Sequence, residues 1–241
     1  GVVIPRSTED VIAVVEAADR HRVAVLPRGG GTSLAGQTVG QALVVDFSKY
    51  MRDVQEVNAE ERWARVQPGI VLDVLNDRLK SHGLMFAPDP STSNRGNVGG
   101  ALGNNSCGAH SILWGKTVDN VRELEAVLSN GDRATLGPLD VVQLESRRRL
   151  DGLEGGIYRS LQAIGEASRD EVIARYPKIQ RRVSGYNLDE LVGGADLDMA
   201  RFVVGSEGTL LTVTEAKLSL VPLPKYKGLA VLHFGDPIES M

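Results

Sequence analysis

One cysteine, Cys107, is all that this 241-residue sequence contains, so no disulfide can close within the chain and no metal site can draw on several thiolates. A reducing compartment, the cytoplasm, is the expectation. Long apolar runs are also missing: no stretch approaches the roughly 20 residues that span a bilayer, and the N-terminus lacks the charged-then-apolar order of a secretory signal. A soluble chain without a membrane span is expected. There is no excess of basic charge, with 27 Lys and Arg against 31 Asp and Glu and a net charge of -4. That balance supplies no face for a nucleic-acid backbone, and Arg147-Arg148-Arg149 reads as a solvated helix end. The histidines are few, and His21, His82, His110 and His233 show no ligand-like spacing, so no metal is expected.

Glycine is what the chain has in quantity. Its 27 glycines bunch in a few loops, which marks places where backbone must come close to something else. Between those loops the elements are readable. Val2 to Pro5 reads as a strand, and Ser7 with Asp10 as a capping box opening a helix with Val11, Val14, Val15 and Ala18 on its apolar face. Val23 to Leu26 and Leu43 to Val45 read as buried strands. Ile70 to Ser81 reads as a helix stopped by Gly83, and Pro88 to Gly108 as a long structured loop. Val121 to Leu128 and Arg133 to Leu136 flank Asn130-Gly131, a hairpin dipeptide. Tyr158 to Ala167 and Glu171 to Tyr176 read as two helices. Phe202 to Val204, Thr209 to Leu220 and Leu229 to Phe234 read as strands. No internal repeat is present.

Four loops carry the chemistry. In Pro27-Arg28-Gly29-Gly30-Gly31-Thr32-Ser33-Leu34-Ala35-Gly36, successive glycines can turn backbone N–H groups toward one point, an anion nest with hydroxyl donors and one cation added. A diphosphate suits it, and a surface turn is the plain alternative. No Gly-Lys-Ser/Thr ends the run, which excludes a P-loop. Leu34 stands where a dinucleotide fingerprint needs its third glycine, and a strand follows where a helix should, so Asp46 reads as a strand cap instead of a ribose ligand. In Ala87-Pro88-Asp89-Pro90-Ser91-Thr92 two prolines stiffen the backbone, which suits lying along a flat ring. The stretch from Asn94 to Gly108 combines small residues with amide donors and acceptors, an offer that fits the edge of an isoalloxazine. Gly205-Ser206-Glu207-Gly208-Thr209 reads as a tight turn between strands. Cys107 and His110 lie near the third loop, and a packed thiol and a hydrogen-bonded imidazole are their plainer readings against flavin attachment or proton transfer.

Together and in this order, these loops resemble the FAD-binding domain of the vanillyl-alcohol oxidase and p-cresol methylhydroxylase flavoprotein family over nearly the whole chain. The D-lactate, glycolate and D-2-hydroxyglutarate dehydrogenase branch is most similar, through the Pro-x-Gly-Gly-Gly-Thr-Ser loop, Asp119-Asn120-Val121 and Val204 to Thr209. Arg181 to Leu188 resembles a segment of its iron–sulfur-fused members, with a charged helix end and turn as the plain reading. The resemblance implies an α+β fold with two lobes: a small α/β lobe over residues 1–80, a larger lobe with a mainly antiparallel sheet over 81–225, and the start of a truncated cap domain over 226–241.

It implies that Arg28, Gly29, Gly30, Gly31, Thr32, Ser33, Leu34, Gly36 and Gln37 hold the pyrophosphate of a noncovalent FAD, since no histidine occupies that loop. Pro88, Asp89, Pro90, Ser91 and Thr92, with Asn97, Gly99, Gly100, Asn104, Ser106 and Gly108, would line the ribityl chain and ring. Gly205, Glu207, Gly208 and Thr209 would face the adenosine side or the diphosphate. The implied activity is hydride transfer from a small D-2-hydroxy acid to FAD, in a fragment inactive alone whose catalytic base lies outside it. A flavin electron-relay module, a nucleotide-binding structural domain and a flavin-dependent enolpyruvyl reductase remain the alternatives.

Overall fold

The structure, a computed structural model, describes every residue except 194, 195 and 227, so one residue of the expected 226–241 segment and two of the expected 81–225 lobe lie outside the described residues. The chain opens with β1 (Val2–Val3), α1 (Thr8–His21), β2 (Val25–Arg28) and β3 (Leu43–Asp46). The hydroxyl of Ser7 accepts from the N–H of Asp10 at 3.3 Å, and Glu9 and Asp10 lie at the positive end of the helix. Asp10 does not close a capping box, because its carboxylate accepts from the N–H of Arg6 at 2.7 Å. Val11, Val15 and Ala18 recur at helical spacing and are buried. The three strands form a parallel sheet in the order β1-β3-β2.

Next come β4 (Val54–Asn58), β5 (Trp63–Val66), α2 (Leu72–Leu79), β6 (Leu84–Met85), α3 (Val98–Asn104), α4 (Ser111–Trp114), β7 (Val121–Val127), β8 (Arg133–Leu136) and β9 (Pro138–Leu139). The chain then forms α5 (Val141–Arg148), α6 (Gly152–Arg175), β10 (Leu197–Asp198), α7 (Met199–Val203), β11 (Thr212–Ser219) and β12 (Val221–Pro222). A five-stranded antiparallel sheet in the order β4-β5-β11-β7-β8 is the frame of this part. Strand β11 alternates buried and half-buried side chains along its length, the period-2 signature of a sheet with one packed face. The main core packs Leu72, Leu75 and Leu79 of α2 and Ala101 and Leu102 of α3 with Leu124, Ala216 and Leu218 of the sheet. A second cluster joins Val11 and Val15 of α1 to Val45, Phe47, Met51 and Val127, and so ties the parallel sheet to the end of β7.

The expected α+β fold of the p-cresol methylhydroxylase type is therefore present, with several elements corrected. Strand β5 pairs with β11 and β4 with β5, so both belong to the antiparallel sheet and not to the parallel one. The two helices expected over 158–176 are one, α6, because Tyr158, Leu161, Gly165 and Val172 form a single buried stripe across the polar Ser168-Arg169-Asp170. Phe202 to Val204 is not a strand: Asp198 caps α7 by accepting from the N–H groups of Ala200 and Arg201 at 3.0 and 3.2 Å. With Phe202, Val203 and Val204 all buried, no polar position within that run marks the helical period, and a short apolar run cannot show its type. Pro88 to Gly108 contains the helix α3. Of Asn130-Gly131 only Gly131 takes a positive φ, at 92°, because the connection from β7 to β8 spans Leu128 to Asp132 instead of two residues. Leu229 to Phe234 forms no strand, and Leu229 is 91% exposed.

Candidate functional site: a glycine-walled cavity between the lobes

The four glycine-rich loops meet around one cavity of about 450 Å³, within the range of cofactor sites. The first loop leaves β2 and turns back at Gly30, where a Cβ would stand 2.2 Å from the carbonyl oxygen of Arg95. Only glycine allows these two stretches of backbone to touch. The fourth loop docks on α3, with Gly205 N–H donating to Leu102 at 2.8 Å and Glu207 N–H to Gly103 at 3.0 Å. On its other side, Gly208 lies against the ring of Pro27. Gly108 packs on the backbone of Asp89 so closely that a Cβ would lie 2.1 Å from the Asp89 carbonyl oxygen, which joins the second loop to the third.

The walls offer donors and an acceptor that the protein does not spend. Among the described residues, no N–H group from Gly29 to Thr38 donates a hydrogen bond within the protein, the arrangement an anion nest requires. The Arg28 guanidinium donates to the Thr38 carbonyl at 3.2 Å and lies beside Gly31, which bends the loop around one cation. Asn97 is buried; its amide donates to the Gly69 carbonyl, while Oδ1 has no partner and faces Gly29 and Gly30. A buried acceptor without a partner is costly, and a ligand N–H or hydroxyl would satisfy it. Leu124, Val203, Leu211 and Val213 give the cavity an apolar side. Gly100 lines it, and beyond its chain neighbours and its own helix backbone no protein atom lies within 4 Å of where a Cβ would stand. An elongated ligand carrying a diphosphate, hydroxyls and a flat ring fits this set of groups.

Glu207 is the one carboxylate on the cavity wall among the described residues. Burial pushes its pKa up, against a hydrogen bond from Gln37 at 3.4 Å that pulls it down. A folded-state pKa above the unfolded value contributes stability that is complete below the ordinary carboxylate range and lost as pH rises through the folded value. Glu207→Gln is therefore expected to melt above the wild type at pH 7.5 and with it at pH 4, as thermal unfolding of the flavin-free protein at the two pH values would show.

Most of the residues expected to hold the cofactor line this cavity: Arg28 to Leu34, Gln37, Pro90, Ser91, Thr92, Asn97, Gly99, Gly100, Asn104, Ser106, Glu207 and Gly208. Gly36, Pro88, Asp89, Gly108, Gly205 and Thr209 do not line it; most of them support those that do. Pro88 is buried, and Asp89 holds the His110 ring, Nδ1 to Oδ2 at 2.5 Å. Thr209 donates to the Ser206 carbonyl at 2.6 Å. Asp119 and Asn120 are also scaffold: Asp119 pairs with Arg201 at 3.2 Å, and Asn120 donates to the Trp114 and Lys116 carbonyls. Cys107 is half-buried on the wall instead of packed away. The apolar side, with Ser206, Arg181 and Val183, was not among the expected residues. Ser206 had a local signal as part of the fourth loop, and Arg181 and Val183 as part of the segment resembling the larger relatives.

A glycine-walled cavity between a parallel βαβ lobe and an antiparallel sheet, lined by free amides, defines a domain that holds an extended nucleotide cofactor. The chain belongs to the FAD binding domain family, whose model matches residues 1–137, more than half of it. It is 40% identical over 243 residues to a D-2-hydroxyglutarate dehydrogenase of Pseudomonas putida, covering 99% of this chain and 24% of the relative. It is 33% identical to the glycolate oxidase subunit GlcD of Bacillus subtilis, covering 94% of this chain and 38% of that protein. The chain thus spans about a quarter of the length of the D-2-hydroxyglutarate dehydrogenases it matches. Among solved structures, alkyldihydroxyacetonephosphate synthase matches with a TM-score of 0.62 at 22% identity, over 93% of this chain and 32% of its own, which shows the shared fold. Among the described residues no helix is long and apolar enough to cross a membrane.

Proposed function

We propose that this chain is the FAD-holding part of a cytoplasmic oxidoreductase that takes a hydride from a small D-2-hydroxy acid of the lactate, glycolate or 2-hydroxyglutarate class. The observation that carries the reading is the cavity, whose unspent amides and unpartnered Asn97 acceptor match a bound FAD; the similarity to dehydrogenases of such acids over 99% of the chain supplies the substrate class. FAD, when bound, supplies the hydride-accepting chemistry. The residues of this chain bind and orient it. Gly29 to Gly31, Thr32, Ser33, Leu34, Gly36 and Gln37, with Arg28, hold the diphosphate; Asn97 takes a donor through Oδ1. Pro90 to Thr92, Gly99, Gly100, Asn104 and Ser106 lie along the ribityl chain and ring, supported by Pro88, Asp89 and Gly108. Glu207 and Gly208, steadied by Gly205 and Thr209, close the adenosine side.

Binding is noncovalent in this reading: the Gly29 to Gln37 loop contains no His or Cys, and His110 is engaged by Asp89. The test is anaerobic mixing of the full-length protein with D-lactate, glycolate and D-2-hydroxyglutarate in turn. Bleaching of the flavin band by at least one of them is expected. A flavin that none of them reduces, but that a nicotinamide donor does, would replace this reading with the reductase alternative.

A further inference from the structure

We infer that Arg181 is a specificity-determining cation that receives the carboxylate of the acidic substrate. Arg181 and Arg28 are the two arginines on the cavity wall among the described residues. Arg28 is committed to its own loop through the Thr38 carbonyl. Arg181 is exposed on the wall and, among the described residues, makes no hydrogen bond or ion pair. Its neighbour Arg182 is turned the other way, where it forms a two-pronged pair with Asp189 at 2.6 and 2.7 Å and lies over the Tyr176 ring.

The segment that carries Arg181 is pinned on both sides. Gln180 donates to the carbonyls of Ser111 and Ile112 at 3.0 and 3.3 Å, and its own carbonyl accepts from Lys116 Nζ at 2.9 Å. Further along, the Tyr186 hydroxyl meets Thr209 Oγ1 at 2.9 Å, and buried Asn187 donates to the carbonyls of Arg201 and Val204. A strap tied at 180 and again at 186–187 holds Arg181 on the cavity wall, and its guanidinium is a fork suited to a carboxylate or a phosphate.

Gln180 is anchored on the turn whose Ser111 hydroxyl accepts from Gly108 N–H at 3.0 Å, which ties the strap to the third loop, proposed above for the ring, as Tyr186 ties it to the fourth. The proposed diphosphate nest is on the first loop, which already has Arg28. The provision already made for the diphosphate favours a carboxylate at Arg181. This inference rests on the hydroxy-acid reading, which supplies the carboxylate.

The test uses the full-length flavoprotein as wild type, Arg181→Gln and Arg181→Lys, with FAD content and oxalate affinity measured for each by flavin absorption. Oxalate serves as a carboxylate that is not itself a 2-hydroxy acid. Loss of a charge-assisted fork is expected to weaken oxalate binding about tenfold to a hundredfold in Arg181→Gln, with the same rise in KM, full FAD content, and partial recovery in Arg181→Lys. FAD lost from Arg181→Gln, with oxalate affinity unchanged after reconstitution, would assign the arginine to the diphosphate and overturn the proposal. So would no change in either quantity. A wild type that neither binds oxalate nor is reduced by any 2-hydroxy acid would overturn the hydroxy-acid reading itself, and this inference with it.

Discussion

Gly100→Leu is expected to yield a protein that folds as well as the wild type but holds flavin about tenfold to a hundredfold more weakly. Gly100 lies within helix α3, lines the cavity, and would place a Cβ where, its chain neighbours and its own helix backbone aside, no protein atom lies within 4 Å. Exchanging a helical glycine for leucine favours the helix by about 0.5–1 kcal/mol, so the flavin-free protein should melt at or slightly above the wild-type temperature. The leucine then competes with the cofactor for the same volume. Overlap of this kind costs about 1–3 kcal/mol, which corresponds to about tenfold to a hundredfold weaker FAD retention. Fluorescence titration with FAD and a melting curve of the flavin-free protein measure the two effects separately. Flavin affinity equal to the wild type, in a protein of equal stability, would remove this wall of α3 from the binding site.

Gly30→Ala is expected to act in the opposite order, on the fold first. Its Cβ would stand 2.2 Å from the Arg95 carbonyl oxygen and 3.1 Å from Asn97 Oδ1. The first contact is with backbone, so no side-chain rotation relieves it, and either the first loop or the Asn94 to Asn97 segment must move. We expect a destabilisation of about 3 kcal/mol, or about 6–12 °C in melting temperature for a domain of this size. FAD retention should fall as well, because the same displacement moves Asn97 and the nest. Melting curves with and without excess FAD distinguish the two consequences: added FAD stabilises by mass action only if the nest survives.

These two glycines look alike in the sequence, and their different roles show where local reading stops. Clustering marks both as places of close approach. Whether the approach is to Arg95 or to a ligand depends on residues brought together by the fold. The legible features were local ones: Ser7 capping α1, Gly83 ending the turn after α2, the apolar runs of β2 and β3, and the loops themselves. Phe202 to Val204 misled because complete burial erases the polar positions that would show a 3.6 period. The sheet that β5 joins is not legible locally, because its partner β11 lies more than a hundred residues away in sequence. Arg181 and Val183 were noticed as a charged segment, but their place on the wall depends on Gln180 reaching Ser111 and Tyr186 reaching Thr209, contacts that no spacing announces. The Asn97 acceptor was within a recognised loop, yet its lack of a partner is a property of the packed structure alone.

FAD held in the glycine-walled cavity without a covalent bond is the central expectation. The direct measurement is to purify the full-length protein, record its visible spectrum, precipitate it with acid and identify by chromatography any flavin left in solution. A yellow protein that releases its flavin as FAD and leaves a colourless pellet is expected. A pellet that keeps the flavin colour would contradict noncovalent binding, and a colourless protein that takes up no added FAD would contradict the assignment of the cavity.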